Sequence, residues 1–438
     1  MPPITGITSA NERLSQISSQ LTTPPKSSSS SSRDRLLVAH PDDIVVTCAL
    51  RTAHTKAGKG YFKDTPAQDL LAGLLRGVLE RSRIDSKIVE DISVGSVLPP
   101  GGGATEFRAA ALVAGFPTST AVRATNRQCS SGLQAVVDIA NAIRAGMIEV
   151  GIGAGVESMS MQYGPAAVTE FSELLDSHPE AKNCKVPMGV LSEKMAKDRK
   201  ITRGVQDAFA AQSYQKAYKA QLEGLFDQEI CPLIVSWEDP KTNETRKVTV
   251  TADDGIRPHI TPESLGEIKP AFPLGNSAGT IHAGNASQIS DGAAAVLLMK
   301  RSTATHIGQP ILGKFIAAAV VGVPPLLMGM GPWAAIPRVF EKTGINKDDV
   351  DIFEINEAFA SQCVWCINEL GLDVNKVNPK GGAIAFGHPL GSTGARQVST
   401  LLSELKRTGG EVGITSMCVG TGMGMAAVWV AEYDRGNS

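Results

Sequence analysis

The chain repeats itself, and nothing else in the sequence constrains its fold as strongly. The run Glu80-Arg-Ser-Arg-Ile-Asp-Ser-Lys-Ile-Val stands ahead of an apolar stretch at Ile92. It resembles Glu341-Lys-Thr-Gly-Ile-Asn-Lys-Asp-Asp-Val, ahead of Ile352. Further on, Glu149-Val-Gly-Ile recurs letter for letter at Glu411. The offsets are 261 and 262 residues, and the matches keep their order. Two α/β units related by duplication are therefore expected. Within the first, short β-branched runs at 44–48, 92–97 and 150–154 read as strands, and the patterns over 68–81 and 133–145 read as helices. Such alternation implies an α/β fold with covered sheets. Residues 159–289 are more polar and less periodic, and read as an insertion over a site. The expected organisation is an extension at 1–35, a first half at 36–158 completed by about 290–310, a loop domain at 159–289, and a second half at 311–438.

Composition narrows the function classes. A chain of 438 residues predicts two or three domains. Apolar residues at 42% and charged residues at 20% fit a folded globular protein. A net charge of −2 provides no basic field for nucleic acid. Seven cysteines, an odd number spread from Cys48 to Cys418, argue against a secreted disulfide scaffold and for a reducing compartment. The uncharged stretch 315–337 is long enough to span a bilayer. Pro324, Pro325, Pro332 and Pro337 would break any such helix, so a buried strand ending in a loop is expected, with no membrane span.

Residues 1–33 are rich in Ser, Thr and Pro and cannot bury enough apolar surface to order themselves. They hold no apolar core of a secretory signal. Leu14, Ile17 and Leu21 share one face of a short helix. Arg13 and Leu14, followed after five residues by Gln20 and Leu21, resemble the type 2 peroxisomal targeting signal. That resemblance implies a soluble import receptor as a partner and the peroxisome as the location.

Four segments carry chemistry. In Asn126-Arg-Gln-Cys129-Ser-Ser-Gly-Leu-Gln-Ala, a strand-like run ends and a helix begins near Ser130. A cysteine there meets the helix N-terminal dipole, which favours a thiolate nucleophile. The plainer reading is a buried small apolar residue. In Gly381-Gly-Ala-Ile-Ala-Phe-Gly-His388-Pro-Leu-Gly-Ser-Thr-Gly-Ala-Arg396, five glycines surround one histidine, a base candidate or a histidine that only caps its own loop. In Ser416-Met-Cys418-Val-Gly420-Thr-Gly-Met-Gly424, a second cysteine sits in a turn whose N–H groups could face an oxyanion. In Asn356-Glu-Ala-Phe359-Ala360, Asn356 follows a strand and could hold a water or a carbonyl. Ligands of α/β folds bind at such strand ends.

Together these motifs resemble the thiolase family, most nearly its peroxisomal 3-ketoacyl-CoA branch, over essentially all of 36–438. The resemblance implies two βαβαβαββ halves in a five-layered αβαβα sandwich with an inserted loop domain, assembled as a homodimer or tetramer. It implies CoA-dependent cleavage of 3-oxoacyl-CoA to acetyl-CoA and a shortened acyl-CoA in fatty acid β-oxidation, by way of an acyl-cysteine. Cys129 would be the nucleophile, Cys418 the proton shuttle and His388 the activating base. His388 with a water held by Asn356 would form one oxyanion hole, and the N–H groups of Cys129 and Gly420 the other. The segment 284–293, with Ser287, resembles the part that contacts the CoA pantetheine. Pro187-Met188-Gly189 resembles a loop lining the acyl pocket, and Phe359 is a further substrate contact. No metal or redox cofactor is implied, because coenzyme A enters as substrate.

Two departures stand out: His282, where relatives mostly carry a hydroxyl residue, and Leu326-Leu327, where they often carry an acid. Rival readings are weaker. Gly151-x-Gly153-x-Gly155 fails as a dinucleotide loop because Val156 fills the last glycine position. A cysteine hydrolase leaves Cys418 unexplained, and Cys363-x-x-Cys366 lacks a second pair for zinc. An acetoacetyl-CoA thiolase (acetyl-CoA C-acetyltransferase) working in the biosynthetic direction and a non-catalytic acyl-CoA binder on the same scaffold complete the alternatives.

Overall fold

The computed structural model describes residues 31–163, 170–272 and 279–433. In the first half, β1 (Ile44–Arg51) is followed by β2 (Thr55–Lys56), α1 (Ala67–Ser82), β3 (Asp91–Gly95), α2 (Ala104–Ala114), β4 (Ala121–Thr125), α3 (Ser131–Arg144) and β5 (Val150–Ser158). A polar region follows, with α4 (Met188–Asp198), α5 (Arg203–Leu222) and the hairpin β6 (Leu233–Glu238) and β7 (Thr245–Val250). The chain then returns through β8 (Ser290–Lys300), antiparallel between β1 and β5. The second half runs β9 (Gly313–Gly322), α6 (Gly331–Thr343), β10 (Ile352–Ile355), α7 (Ala360–Leu370), α8 (Leu390–Thr408), β11 (Val412–Val419) and β12 (Met423–Ala431).

The sheet order is β10-β11-β12-β9-β1-β8-β5-β3-β4. The halves meet through three residue pairs between β1 and β9. Both strand sets read as near-continuous apolar runs because both faces are covered. One apolar cluster joins α1 and α2 to the first half's sheet. A second holds α3 and α8 against strands of both halves, and a third joins α6 and α7 to the second half's sheet. The result is five layers, with α3 and α8 in the middle.

The duplicated motifs fall at matching points. Each ends the first helix of its half and leads through a short 3₁₀ turn into a parallel strand. The halves differ at the third strand. β4 is a full strand beside β3. Its counterpart in the second half is one bridge, Phe353 with Val377. Asn378, at φ 44°, continues the pairing with its side-chain amide, which accepts from Ile355 N–H at 2.9 Å and donates to Ile355 O at 2.8 Å.

The first described residues, 31–33, differ from the expectation for that segment. A capping box between Ser31 and Asp34 opens a helix at Ser32–Leu37, and Arg33 pairs with Asp351 at 2.8 Å and Glu411 at 3.1 Å. Charge pairing does here what apolar burial could not. Residues 13–21, with Arg13, Leu14, Gln20 and Leu21, lie outside the described residues.

The uncharged stretch divides into the end of β9, a turn over 325–330 and the start of α6. Contrary to the expectation, Pro332 and Pro337 do not exclude a helix. Pro332 sits in the first turn of α6, where its missing N–H needs no partner, and Pro337 is accommodated inside it. No helix among the described residues is long and apolar enough to cross a membrane. All seven cysteines are free. A buried ionic cluster stitches the polar region to both halves. Arg51 pairs with Asp253 at 2.7 Å and Glu229 at 2.8 Å, Lys380 reaches Glu229 at 3.2 Å, and Arg396 pairs with Glu354 at 2.9 Å.

Candidate active site

Cys129 and His388 each lie two residues ahead of a helix, α3 and α8, and these two helices pack together in the central layer. Gln128, at φ 48°, and Thr421, at φ 67°, make the sharp turns that bring Cys129 and Gly420 together. The side chain of Gln128 lies against Gly420. The backbone N–H groups of Gly420 and of Cys129 itself favour the charged form of the Cys129 sulfur, and Cys418 is its electrostatic neighbour. All four residues expected to do chemistry are buried: Cys129, His388, Asn356 and Cys418.

The electrostatics depart from the expected thiolate. Burial pushes the Cys129 thiol up to about 11, and the carboxylate of Glu157 adds to this. The two N–H groups oppose the shift without reversing it. Cys418 is raised well above its ordinary value by burial and by Cys129. Burial lowers His388 to about 3, with the charge of Arg396 acting in the same direction. The resting pair is therefore a neutral thiol and a neutral imidazole, because desolvation outweighs the helix dipole at a fully buried sulfur.

The tautomer of His388 is fixed by a residue that sequence reasoning left without a role. Nδ1 lies 2.6 Å from Thr393 Oγ1, and that hydroxyl donates its single hydrogen to Pro389 O at 3.0 Å. Thr393 therefore accepts from Nδ1–H, and the lone pair stays on Nε2. Nε2 faces the Asn356 amide Nδ2 at 3.3 Å. Asn356 is held in turn by its N–H to Ser416 O at 2.9 Å. Gly387, at φ 98°, sets the turn before His388, and a Cβ there would collide with Ser290.

The expected substrate contacts gather beside these groups. Phe359 and Cys418 share one apolar cluster, against which Met188, Ala286 and Leu326 pack. The segment with Ser287 is threaded between two loops of the site. Ser287 N–H donates to Ala358 O at 3.0 Å, Ala360 N–H donates to Asn285 O at 2.9 Å, and His388 N–H donates to Gln288 O at 3.0 Å. Both departures have a place here. Leu326 extends the apolar wall near Cys418. His282 accepts from Gly284 N–H at Nδ1 and donates from Nε2 to Asp207 at 2.8 Å, buttressing the turn ahead of Ser287. Cys363 and Cys366 lie inside α7, where burial raises both thiols.

Sequence reasoning also passed over Glu157 and Glu357. Each is an acid buried among apolar residues, which is itself a signal. Glu357 accepts from Ser213 Oγ at 2.6 Å, Asn378 Nδ2 at 2.9 Å and Ile384 N–H at 3.2 Å, tying α5 to the loop that leads to His388.

A family model for the thiolase N-terminal domain matches residues 44–302, and one for the thiolase C-terminal domain matches 309–431. The chain belongs to the thiolase family. Among its relatives, the peroxisomal 3-ketoacyl-CoA thiolase of Yarrowia lipolytica is 57% identical over 421 residues, covering 96% of this chain and 100% of the relative. The peroxisomal 3-ketoacyl-CoA thiolase of Saccharomyces cerevisiae is 49% identical over 430 residues, with coverage of 96% and 100%. The crystal structure of the dimeric peroxisomal thiolase of Saccharomyces cerevisiae superposes with a TM-score of 0.84 at 50% identity, covering 91% of this thiolase and 100% of that chain. The acetyl-CoA acetyltransferase of Bacillus anthracis superposes at 0.79 with 34% identity, covering 89% and 99%. This thiolase is accordingly an acyltransferase with the five-layered fold of its family.

Proposed function

We propose that this thiolase is a peroxisomal 3-ketoacyl-CoA thiolase, which cleaves 3-oxoacyl-CoA with free CoA to give acetyl-CoA and an acyl-CoA two carbons shorter. The observation that carries the reading is the lone pair of His388 Nε2, fixed by Thr393 on the helix packed against the Cys129 helix. The Cys129 proton passes to His388 as sulfur attacks the C3 carbonyl, so charge appears only when the oxyanion hole is in use. The bond between C2 and C3 breaks, and its electrons go to the enolate of acetyl-CoA. His388 and a water held by Asn356 stabilise that enolate, and Cys418 protonates it at C2. The acyl group remains on Cys129 as a thioester whose carbonyl oxygen meets the N–H groups of Cys129 and Gly420. Cys418 then takes the thiol proton of incoming CoA, whose sulfur attacks the thioester and expels Cys129, to which His388 returns its proton. Ser287 lies along the pantetheine, and Met188 and Phe359 line the acyl pocket.

Identities of 57% and 49% to the peroxisomal 3-ketoacyl-CoA thiolases, against 34% to the acetyltransferase, favour this reading over acetoacetyl-CoA synthesis. The dimer named for the yeast relative supports a homodimer here. Residues 13–21 act as the import signal read by the peroxisomal receptor. The deciding experiment mixes protein, free CoA and 3-oxoacyl-CoA of several chain lengths and follows the 3-oxo chromophore. No loss of signal at any length would sink the reading. For the address, a reporter carrying residues 1–33 goes to peroxisomes and fails to do so with Arg13→Glu. A reporter that stays punctate with that change would refute the signal.

A further inference from the structure

Glu157 is the penultimate residue of β5, fully buried in a strand that is otherwise almost wholly apolar. Its partners are neutral. Oε1 accepts from Leu98 N–H at 3.0 Å and lies 3.1 Å from Ser96 Oγ. Oε2 accepts from Val97 N–H at 3.0 Å and from Gly391 N–H at 2.9 Å. The first contacts hold the loop after β3. The last holds the start of α8, where Gly391 is among the first residues of the helix and its N–H has no helical acceptor.

Gly391 is the point where the central helices touch. A Cβ on Gly132 or on Gly155 would collide with the carbonyl oxygen of Gly391. A Cβ on Gly391 would lie 2.5 Å from the carbonyl oxygens of both Gly95 and Val156. Gly132 follows Cys129 by three residues, and Gly391 follows His388 by three. The crossing is thus one helical turn from both chemical groups, and Glu157 grips its backbone from the side.

We propose that Glu157 is a positioning residue for acyl transfer: its carboxylate fixes the α3–α8 crossing and with it the approach of His388 to Cys129. This rests on the roles given above to Cys129 and His388. A second effect follows from charge: burial raises the Glu157 carboxyl to about 7, so at the alkaline pH where the Cys129 thiol ionises Glu157 is a carboxylate and its charge opposes that ionisation.

The test compares Glu157→Gln and Glu157→Asp in the full chain with the unaltered protein, reading kcat, KM and the pH dependence of Cys129 alkylation by iodoacetamide. Gln keeps the shape. Both carboxylate oxygens accept from backbone N–H groups, so whichever one becomes NH₂ faces a donor. Its kcat falls about 10- to 100-fold with KM within about threefold, the size expected of a small misplacement. Its alkylation midpoint moves to lower pH, because a negative charge is gone. Asp keeps the charge but is one methylene short of bridging Leu98 and Gly391, so its kcat falls while its alkylation midpoint stays. If the Gln variant does not fold, the Asp variant carries the test. A kcat within twofold of the unaltered protein in either folded variant would overturn the proposal, as would a Gln variant whose alkylation midpoint does not move. Failure of the functional reading looks different: the unaltered protein itself would then show no thiolysis.

Discussion

In the first half of the molecule, the strand ends after β3 and within β5 carry Ser96 and Glu157. In the second half, the corresponding ends after β10 and within β11 carry Asn356 and Cys418. The spacings are 260 and 261 residues, beside the 261 and 262 of the repeated motifs. Cys129 and His388 likewise occupy matching positions ahead of α3 and α8, 259 residues apart. Duplication thus supplied pairs of equivalent points around one crevice, and divergence gave each pair a division of labour. The carboxylate of Glu157 is engaged by backbone N–H groups and holds the frame. Asn356 keeps its Oδ1 free of protein partners among the described residues, and Cys418 faces the other thiol. A group already committed to backbone hydrogen bonds is poorly placed to serve a substrate, and an uncommitted buried group is costly unless it does.

The largest test of this division is Cys129→Ala. Thiolysis should fall by at least about 10⁴-fold, as when a nucleophile is removed from an acyl-transfer unit. Mass spectrometry should find no acyl adduct, and persistence of the adduct would move the nucleophile to Cys418. Next, Asn356→Ala should cost about 10²- to 10³-fold in kcat, the usual loss for one oxyanion-hole donor. Ser96→Ala at the matching point should cost no more than about tenfold, since a net hydrogen bond contributes about 1 kcal/mol. Equal losses would erase the distinction between the halves.

Stability separates the glycines in the same way. Gly391→Ala should lower unfolding free energy in urea by about 1–3 kcal/mol through overpacking at the crossing. Gly409 has φ 74° with open space around it, and its change to Ala should cost about 1 kcal/mol. Equal costs would deny the crossing its tightness. The smallest effect is a pH dependence. The Cys129 thiol is raised to about 11 in the folded protein, so its thiolate fraction and alkylation rate should still be climbing above pH 9. A plateau below pH 8 would instead reveal a preformed thiolate–imidazolium pair.

The candidate site was unusually legible, because its four loops are continuous motifs in which small residues frame a single reactive side chain. Cys129, Asn356, His388 and Cys418 are each modest candidates in their own loops, and it is the four loops taken together that point to one site. What lay hidden depends on contacts between distant segments. The role of Thr393 appears only when its hydroxyl is seen shared between Pro389 and His388. The shortened third strand of the second half depends on Asn378 standing in for backbone pairing with Ile355. The order at Arg33 depends on Asp351 and Glu411, more than three hundred residues away. A helix-dipole argument, sound for an exposed cysteine, favours a thiolate at Cys129, whereas burial of the sulfur pushes its thiol up, and the burial appears only in the folded chain.

The sequence by itself determined the duplication, the alternation of strands and helices, and the four residues at strand and helix ends. These are local patterns, written in periodicity and in short motifs. The tertiary structure alone decided the protonation of those residues, the tautomer of His388 and the grip of Glu157 on the helix crossing. Charge state and hydrogen-bond direction follow from desolvation and from partners brought together across hundreds of residues, and neither is encoded at the position where it is felt.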